Sequence, residues 1–273
     1  MKKIRKLLIT VLLSLCAVFA LLGFSGCDFK DVITGQIVKK GGITYEKDEN
    51  GNSYIIRACN SSVKKVKIES FINNLPVGFS TGVFSECYNL TNIEVFEDNK
   101  WLKSINGNLY NKDGTKLMQY AIGKKDELFV IPDSVTEIGW GAFEGCRNLK
   151  SIIIPDSVTK IDAWAFSECY NLISMVIPNS IKKIDIRTFN GCSSLRSIIL
   201  PDSVTEIGVS AFKGCSSLTS IIIPDSVTEI GWDAFEGCNN LTIYCETRNK
   251  PSDWDRGWNY SNCPVVWGYT GKN

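Results

Sequence analysis

The fold is decided by the stretch IPDSVTEIGWGAFEGC, residues 131–146, because this stretch returns along the chain at a fixed interval. Its first half recurs with small changes from Ile154, Ile177, Leu200 and Ile223, each time after 23 residues. The second half, built around Ala-Phe-x-Gly-Cys, recurs at the same interval. Repetition of this length indicates a solenoid, because stacked copies can bury apolar faces that a single copy cannot bury.

Each unit contains one short strand that ends at a proline. Leu149, Ile152 and Ile154 are expected to point inward while Ile153 points outward, which is the period-two alternation of a strand. Pro155 then ends the strand, since proline has no N–H to donate to a sheet. The Asp-Ser pair that follows favours a turn, because both side chains can bond nearby backbone N–H groups.

The repeat pattern extends over residues 131–244 as Ile-Pro-x-Ser-Val-Thr-x-Ile-Gly-x-x-Ala-Phe-x-Gly-Cys-x-x-Leu-x-Ser-Ile. In this it resembles the BspA-like leucine-rich repeats of bacterial surface proteins. The resemblance implies a β-rich, right-handed coil with a parallel sheet face, short strands and turns, and a cap at both ends. It also implies adhesion to host or matrix proteins or to other microbes. One serine per unit falls where ordinary leucine-rich repeats place a loop-bonding asparagine, which implies a structural ladder: Ser134, Ser157, Ser180, Ser203 and Ser226.

The N-terminus resembles a bacterial lipoprotein signal. Four basic residues precede an uncharged apolar stretch, 7–24, which ends in Ser25-Gly26-Cys27. Cys27 is therefore the predicted lipidation site, and an uncleaved anchor helix is the alternative, since 18 apolar residues can just span a bilayer. Either alternative places the remainder of the chain outside the cytoplasmic membrane.

The predicted organisation contains a capped repeat domain with one insertion. Asn50-Gly51 and Asn106-Gly107 are strong hairpin signals between short apolar runs. The predicted boundaries are a signal peptide 1–26, a linker 27–42 after the lipidated cysteine, a solenoid 43–245 and a C-terminal cap 246–273. Within the solenoid we predict an N-terminal capping hairpin, 43–57, and a hairpin insertion, about 97–125.

The outward-pointing strand residues are the predicted interaction site. They are apolar in every unit and should form one stripe across the sheet face, which is typical of a binding surface. The alternative is that β-branched residues simply favour strands. The stripe and its charged flank comprise Val130, Ile153, Val176, Ile199, Ile222, Lys150 and Arg196.

Eleven cysteines raise the question of disulfides or metal sites. Six share one repeat position, where stacked side chains run parallel and do not converge on one point as metal ligands do. We therefore predict a column of buried free thiols and no metal site. Cys245–Cys263 is the one disulfide expected. The column comprises Cys87, Cys146, Cys169, Cys192, Cys215 and Cys238.

Composition argues against catalysis and against nucleic-acid binding. The chain has no histidine, so no Ser-His or Cys-His pair can exist, and its net charge is only +1. We predict no enzyme activity and no cofactor. The leading hypothesis is a lipid-anchored surface protein that binds a host, matrix or microbial surface protein through the sheet face. The rival is a carbohydrate-binding or hydrolase-accessory protein that uses the aromatic C-terminal segment around Trp254, Trp258 and Tyr260.

Overall fold

A computed structural model of the chain describes residues 37–271. The predicted signal peptide and the predicted lipidation site, Cys27, lie outside this range. Regular structure between residues 37 and 271 consists of 22 short strands joined by turns, without a helix. This part of the chain accordingly contains no apolar helix of membrane-spanning length.

The strands fall into an N-terminal group, an insertion and a series of coils. The N-terminal strands are β1 (Ile37–Lys40), β2 (Ile43–Lys47), β3 (Tyr54–Cys59), β4 (Lys65–Ile68), β5 (Phe71–Ile72), β6 (Leu75–Phe79) and β7 (Asn92–Val95). The insertion adds β8 (Leu102–Ile105), β9 (Asn108–Asn111) and β10 (Lys116–Gln119). The coils contribute β11 (Leu128–Val130), β12 (Glu137–Ile138), β13 (Ser151–Ile153), β14 (Lys160–Ile161), β15 (Ser174–Val176), β16 (Lys183–Ile184), β17 (Ser197–Ile199), β18 (Glu206–Ile207), β19 (Ser220–Ile223), β20 (Glu229–Ile230), β21 (Thr242–Cys245) and β22 (Val265–Trp267).

The repeats form a β-solenoid, as the sequence predicts. We call the strands on one side of the coils (β11, β13, β15, β17, β19, β21 and β22) the front sheet. Parallel ladders join β11 to β13, β15 to β17, and β19 to β21 and β22, while β13 lies beside β15 and β17 beside β19. The two-residue strands form a second parallel array on another side of each coil, in which β12 pairs with β14, and β18 pairs with β16 and β20. The register is in phase with the repeat, since Ile153 lies opposite Val130 and Ile199 lies opposite Val176.

A column of stacked phenylalanines occupies the centre of the solenoid. The rings of Phe166, Phe189 and Phe212 lie 5.4 and 5.5 Å apart between centroids and are nearly parallel. All three side chains are fully buried. Backbone hydrogen bonds on the third side of each coil keep successive rings aligned. The Phe189 N–H, for example, donates to the Ala211 carbonyl of the next coil at 2.8 Å. Each ring therefore buries the face of the next.

The serine ladder implied by the resemblance is present. Each serine hydroxyl donates to a backbone carbonyl of the preceding coil, for example Ser157 to Val135 at 2.9 Å and Ser203 to Ile181 at 2.6 Å. The bonds tie one turn to the next on the side where the proline interrupts the sheet. Their role is structural, since each hydroxyl is occupied by a backbone partner. The ladder comprises Ser134, Ser157, Ser180, Ser203 and Ser226.

Both predicted turns lie between antiparallel strands, the first within the loop 48–53 and the second as a two-residue turn. Strands β2 and β3 pair antiparallel, and β8 and β9 pair antiparallel with Ile105 opposite Asn108. Asn106 and Gly107 both have positive φ, 50° and 72°, which is the conformation of a two-residue hairpin turn. β10 then leads back into the solenoid, because it pairs with β9 on one side and with β12 on the other.

The ends of the solenoid differ from the prediction in two ways. Strand β1 lies inside the predicted linker 27–42, and it joins a five-stranded sheet ordered β1-β2-β3-β6-β5. The C-terminal segment does not leave the repeat geometry, since β22 pairs in parallel with β21 and places Trp267 opposite Cys245. It forms one further, irregular coil, because β22 still pairs with the strand of the coil before it.

Candidate functional site

The front sheet presents the apolar stripe to solvent. The predicted members are all exposed, from 43% for Ile222 to 62% for Val176, while their neighbours Ile152 and Ile154 are buried. These side chains follow one another on five neighbouring strands, because ladders join β11 to β13 and β15 to β17, and β13 packs beside β15 and β17 beside β19. The stripe is therefore a row of exposed apolar side chains along the front sheet.

The stripe is longer than the sequence prediction. Ile222 lies opposite Tyr244, which in turn lies opposite Val266, so two further side chains continue the line. Val266 is 42% exposed and Tyr244 is half-buried against Tyr269. The 23-residue repeat pattern does not identify Tyr244, because its coil is one residue shorter. Tyr244 therefore follows Ile222 after 22 residues and not after 23.

A row of serines runs beside the stripe on the same face. Ser151, Ser174, Ser197 and Ser220 begin their strands and point outward, two residues before the apolar member of each strand. Their side chains are small, so the larger side chains of the stripe stand above them and a shallow step runs along the sheet. The serines offer hydroxyl donors and acceptors next to apolar contacts. These serines are not part of the predicted site, although the Ser-Ile pair in the repeat is their signal.

The charged flank lies at the bend that leads into the front sheet. Lys150 is exposed and pairs with Glu127 of the preceding coil at 2.7 Å. Arg196 is exposed two coils further on, and its N–H donates to the Ile173 carbonyl at 2.8 Å. Such solvent-exposed ion pairs contribute little to stability. The flank therefore places charges that differ from coil to coil beside the stripe, and it contributes little to the stability of the fold.

A family model described as a BspA type leucine rich repeat region matches residues 115–242 in six copies. This range coincides with the stacked coils and their 23-residue spacing. Residues 115–242 match BspA-type leucine-rich repeats. A search of curated proteins found no match.

Three solved structures resemble the BspA-type solenoid. A leucine-rich cell surface protein from Faecalibacterium prausnitzii is 30% identical with a TM-score of 0.60, and the match covers 77% of this chain and 52% of that one. A leucine-rich repeat protein from Eubacterium ventriosum is 23% identical, with a TM-score of 0.58 and coverage of 80% and 63%. The pneumococcal vaccine antigen PcpA is 20% identical, with a TM-score of 0.62 and coverage of 76% and 56%. The last two show the fold alone. In each case the chain spans less than two thirds of the other protein.

The C-terminal tryptophans close the BspA-type repeats. Trp254 is buried, and its indole N–H donates to the Val227 carbonyl at 3.2 Å. Trp258, also buried, meets the last ring of the phenylalanine column, Phe235, edge to face at 6.0 Å. Two of the three aromatic residues assigned to sugar stacking in the rival hypothesis are thus core residues. Tyr260 is 63% exposed and lies 6.4 Å from the exposed ring of Trp232.

The cysteine column consists of buried thiols that donate hydrogen bonds. The sulfurs of Cys169 and Cys192 lie 3.1 Å from the carbonyl oxygens of Phe143 and Phe166, 26 residues earlier. Burial raises the pKa of the Cys192 and Cys215 thiols well above the usual value. These thiols stay protonated at neutral pH and are unreactive. Between residues 37 and 271, no three acidic, cysteine or histidine side chains are grouped as metal ligands.

The expected disulfide Cys245–Cys263 is not formed. Both residues are free thiols, and Cys263 extends the column, since its sulfur lies 3.4 Å from the Cys238 carbonyl oxygen. Cys245 instead ends strand β21, where it pairs with Ile223 and Trp267. The two cysteines occupy different parts of their coils, which the sequence could not show because the last coil is irregular.

One carboxyl group on the turn side of the coils has an altered pKa. Burial raises the pKa of Glu144 to about 7, and the nearby charges of Glu168 and Glu86 raise it further in the same direction. The equivalent positions in later coils are Ser167, Asn190, Lys213 and Glu236, so the carboxylate does not recur in every coil. We assign no chemistry to this group.

Proposed function

We propose that this chain is a recognition protein of the bacterial cell surface that binds a protein partner through the front sheet. The observation that carries the proposal is the exposed apolar stripe from Val130 to Ile222, which Tyr244 and Val266 continue. Exposed contiguous apolar surface on a soluble fold commonly marks an interaction site. The Faecalibacterium protein is a leucine-rich cell surface protein, which supports this location.

The chemistry of the face fits a protein partner better than a small ligand. The face is a long row of strands, and protein interfaces combine apolar contacts at the centre with polar groups around them. The stripe supplies the apolar contacts, and the serine row with Lys150 and Arg196 supplies the polar ones. The proposed partner is a host, matrix or microbial surface protein.

The double substitution Ile153→Lys, Ile199→Lys is expected to abolish binding. It places two ammonium groups in the middle of the stripe, where a partner would have to desolvate them without counter-charges. Binding of the purified protein to immobilised matrix proteins and to bacterial cells is expected to fall at least about 100-fold, the loss of roughly 3 kcal/mol typical of a disrupted interface centre. Both positions are exposed, so the melting temperature should change little.

Ile186→Lys, Val209→Lys is the matched control. These two residues belong to the same region of the solenoid and are 43% and 40% exposed, but they lie on a different side of the coils. The control variant should bind as the parent protein does. If the stripe variant keeps full binding, or if both double variants lose it equally, the front sheet is not the binding site.

We further propose that Cys27 carries the lipid anchor. Its place after Ser25-Gly26 and an uncharged apolar stretch supports this assignment. Cells that express the chain and are fed radiolabelled palmitate should yield a labelled protein, and Cys27→Ala should remove the label completely. Cys16→Ala is the control, because Cys16 lies inside the apolar stretch and should leave labelling unchanged. Equal labelling of all three proteins would refute the anchor.

Carbohydrate binding is the second candidate, and one observation favours it. The exposed rings of Trp232 and Tyr260 lie 6.4 Å apart at the C-terminal end, and aromatic faces can stack on sugars. This pair replaces the buried Trp254 and Trp258 as the site for that hypothesis. Polysaccharide binding that is lost in Tyr260→Ala and kept in the stripe variant would favour this function over the first.

A further inference from the structure

The turns that leave the front sheet carry a row of acidic side chains. The residue after the proline is exposed in each of five successive coils, and it is an aspartate in four of them and an asparagine in the fifth. The serine that follows it belongs to the serine ladder, which ties each turn to the coil before it. The turns are therefore held at the strand spacing, about 4.8 Å from coil to coil. We call these residues the aspartate row: Asp133, Asp156, Asn179, Asp202 and Asp225.

The aspartate side chains are not used to close the turns. The backbone does this, since the Val158 N–H donates to the Pro155 carbonyl at 3.0 Å. The coil that carries the asparagine closes in the same way, from Ile181 to Pro178 at 3.1 Å. Within residues 37–271, none of the four aspartate side chains has a hydrogen-bond or ion-pair partner. Because like charges at this spacing repel each other, the row is a line of uncompensated negative charge.

The aspartate row borders the stripe on the side where the strands end. Ile153 and Asp156 are three residues apart, which is at most about 10 Å of chain, and the same separation recurs in every coil. Glu246 places a further carboxylate at the C-terminal end of the row, since its Oε2 accepts from the Asp225 N–H at 3.2 Å. On the opposite side of the stripe, the cation Lys150 already has an ion pair with an acid of the preceding coil. The front face is therefore apolar in the middle and negative along one side.

Building on the proposed function, on which this inference rests, we propose that the partner presents a cationic amphipathic segment to the front sheet. Its apolar side chains cover the stripe, and its lysine or arginine side chains lie against the aspartate row. Apolar contacts alone accept many surfaces, whereas unpaired carboxylates favour a cation and disfavour an anion.

The dimensions of the face fit an amphipathic helix. The five strands from Val130 to Ile222 extend over about 19 Å, at about 4.8 Å from strand to strand. An α-helix brings a side chain to one face every turn of about 5.4 Å, so about four turns cover the stripe. Residues beside that apolar seam then lie above the aspartate row.

Two synthetic helical peptides of about 18 residues, about 27 Å long, serve as probes. They share one seam of leucines and differ in the flanking residues, which are lysines in one peptide and glutamates in the other. Fluorescence anisotropy of the labelled peptides with the full chain measures the two dissociation constants. The lysine peptide should bind at least about tenfold more tightly than the glutamate peptide. This preference should decline between about 0.01 M and about 1 M salt, because the screening length falls from about 30 Å to about 3 Å.

A fourfold aspartate-to-asparagine variant removes the charge of the row. The turn tolerates asparagine, since Asn179 already occupies this position, so the melting temperature should stay close to that of the parent. Affinity for the lysine peptide should fall about tenfold at low salt. The variant carries Asp133→Asn, Asp156→Asn, Asp202→Asn and Asp225→Asn. A matched control neutralises four acids outside the front sheet and should bind the peptide as the parent does: Glu49→Gln, Glu86→Gln, Glu206→Gln and Glu229→Gln.

A neutral stripe variant, Ile153→Ser, Ile199→Ser, distinguishes the charge of the face from its apolar contacts. It should also lose the lysine peptide, although the charge of the face is unchanged. If the stripe variant loses the peptide and the asparagine variant keeps it, the front sheet binds but charge does not select the partner, and the cationic assignment is wrong. Equal binding of both peptides by the parent, or no binding of the lysine peptide, would overturn the assignment as well. If the stripe variant keeps the lysine peptide, the proposed function of the stripe fails with it.

Discussion

Replacement of Phe189 by alanine should destabilise the solenoid by about 3–5 kcal/mol, as truncation of a buried phenylalanine does. The Phe189 ring is fully buried and has a parallel ring on each side, Phe166 at 5.4 Å and Phe212 at 5.5 Å. Alanine would remove both ring contacts and leave a cavity in the middle of the column. Neighbouring coils cannot collapse into it, because their backbone spacing is fixed by hydrogen bonds such as the one from Phe189 to Ala211.

Urea unfolding followed by circular dichroism measures this cost, and Phe96→Ala is the control. Phe96 is 37% exposed and its outward ring meets Lys67 at 4.0 Å, so its loss should cost less than about 1 kcal/mol. A Phe189→Ala variant as stable as the Phe96→Ala variant would mean that the ring column is not the core of the protein.

Repetition made most of the fold predictable. A single unit gives only weak local signals, but the same inward positions recur five times at 23 residues, and only stacking can satisfy all of them together. The inward residues Leu149, Ile152 and Ile154 were therefore predicted correctly, and the family resemblance correctly implied the serine ladder. The hairpin turn at Asn106-Gly107 was also predictable, since that dipeptide tolerates positive φ at both positions.

The irregular ends were not predictable by the same means. Cys263 was misassigned to a disulfide because the last coil has lost its Phe-x-Gly-Cys motif. Contacts between distant segments decide these positions, and a local pattern does not contain them.

The candidate site was predictable in its position and not in its extent. Alternation alone gave the outward direction of Val176 and Ile199, because a strand with buried neighbours on both sides must expose the residue between them. Tyr244 and Val266 joined the stripe only through strand pairing in the shortened and irregular coils. The identity of the partner depends on side chains that the repeat leaves free to vary, such as Lys150 and Arg196.

Removal of one complete coil should leave the protein folded. Deletion of residues 177–199 joins Val176 to Leu200, which occupies the same repeat position as Ile177. Phe212 should then stack on Phe166, and Ser203 should donate to Val158, so each interface is replaced by an equivalent one. In a solenoid the free energy of unfolding is about the sum of the contributions of the coils and of the interfaces between them. This variant should therefore lose only the contribution of one coil and one interface.

Removal of half a coil should instead destroy the fold locally. Deletion of residues 177–187 eliminates the proline turn and strand β16, and it places the Phe189 turn directly after β15. That coil can no longer close, so the columns on either side lose their register. We expect a loss of at least about 5 kcal/mol, which is comparable to the whole stability of many domains.

Thermal unfolding of these two deletions, followed by circular dichroism, is the most direct test of stacked, interchangeable coils. The account predicts one cooperative transition with a modestly lowered midpoint for the 23-residue deletion, and no cooperative transition or a much lower midpoint for the 11-residue deletion. Equal damage by both deletions, or better tolerance of the shorter one, would contradict it.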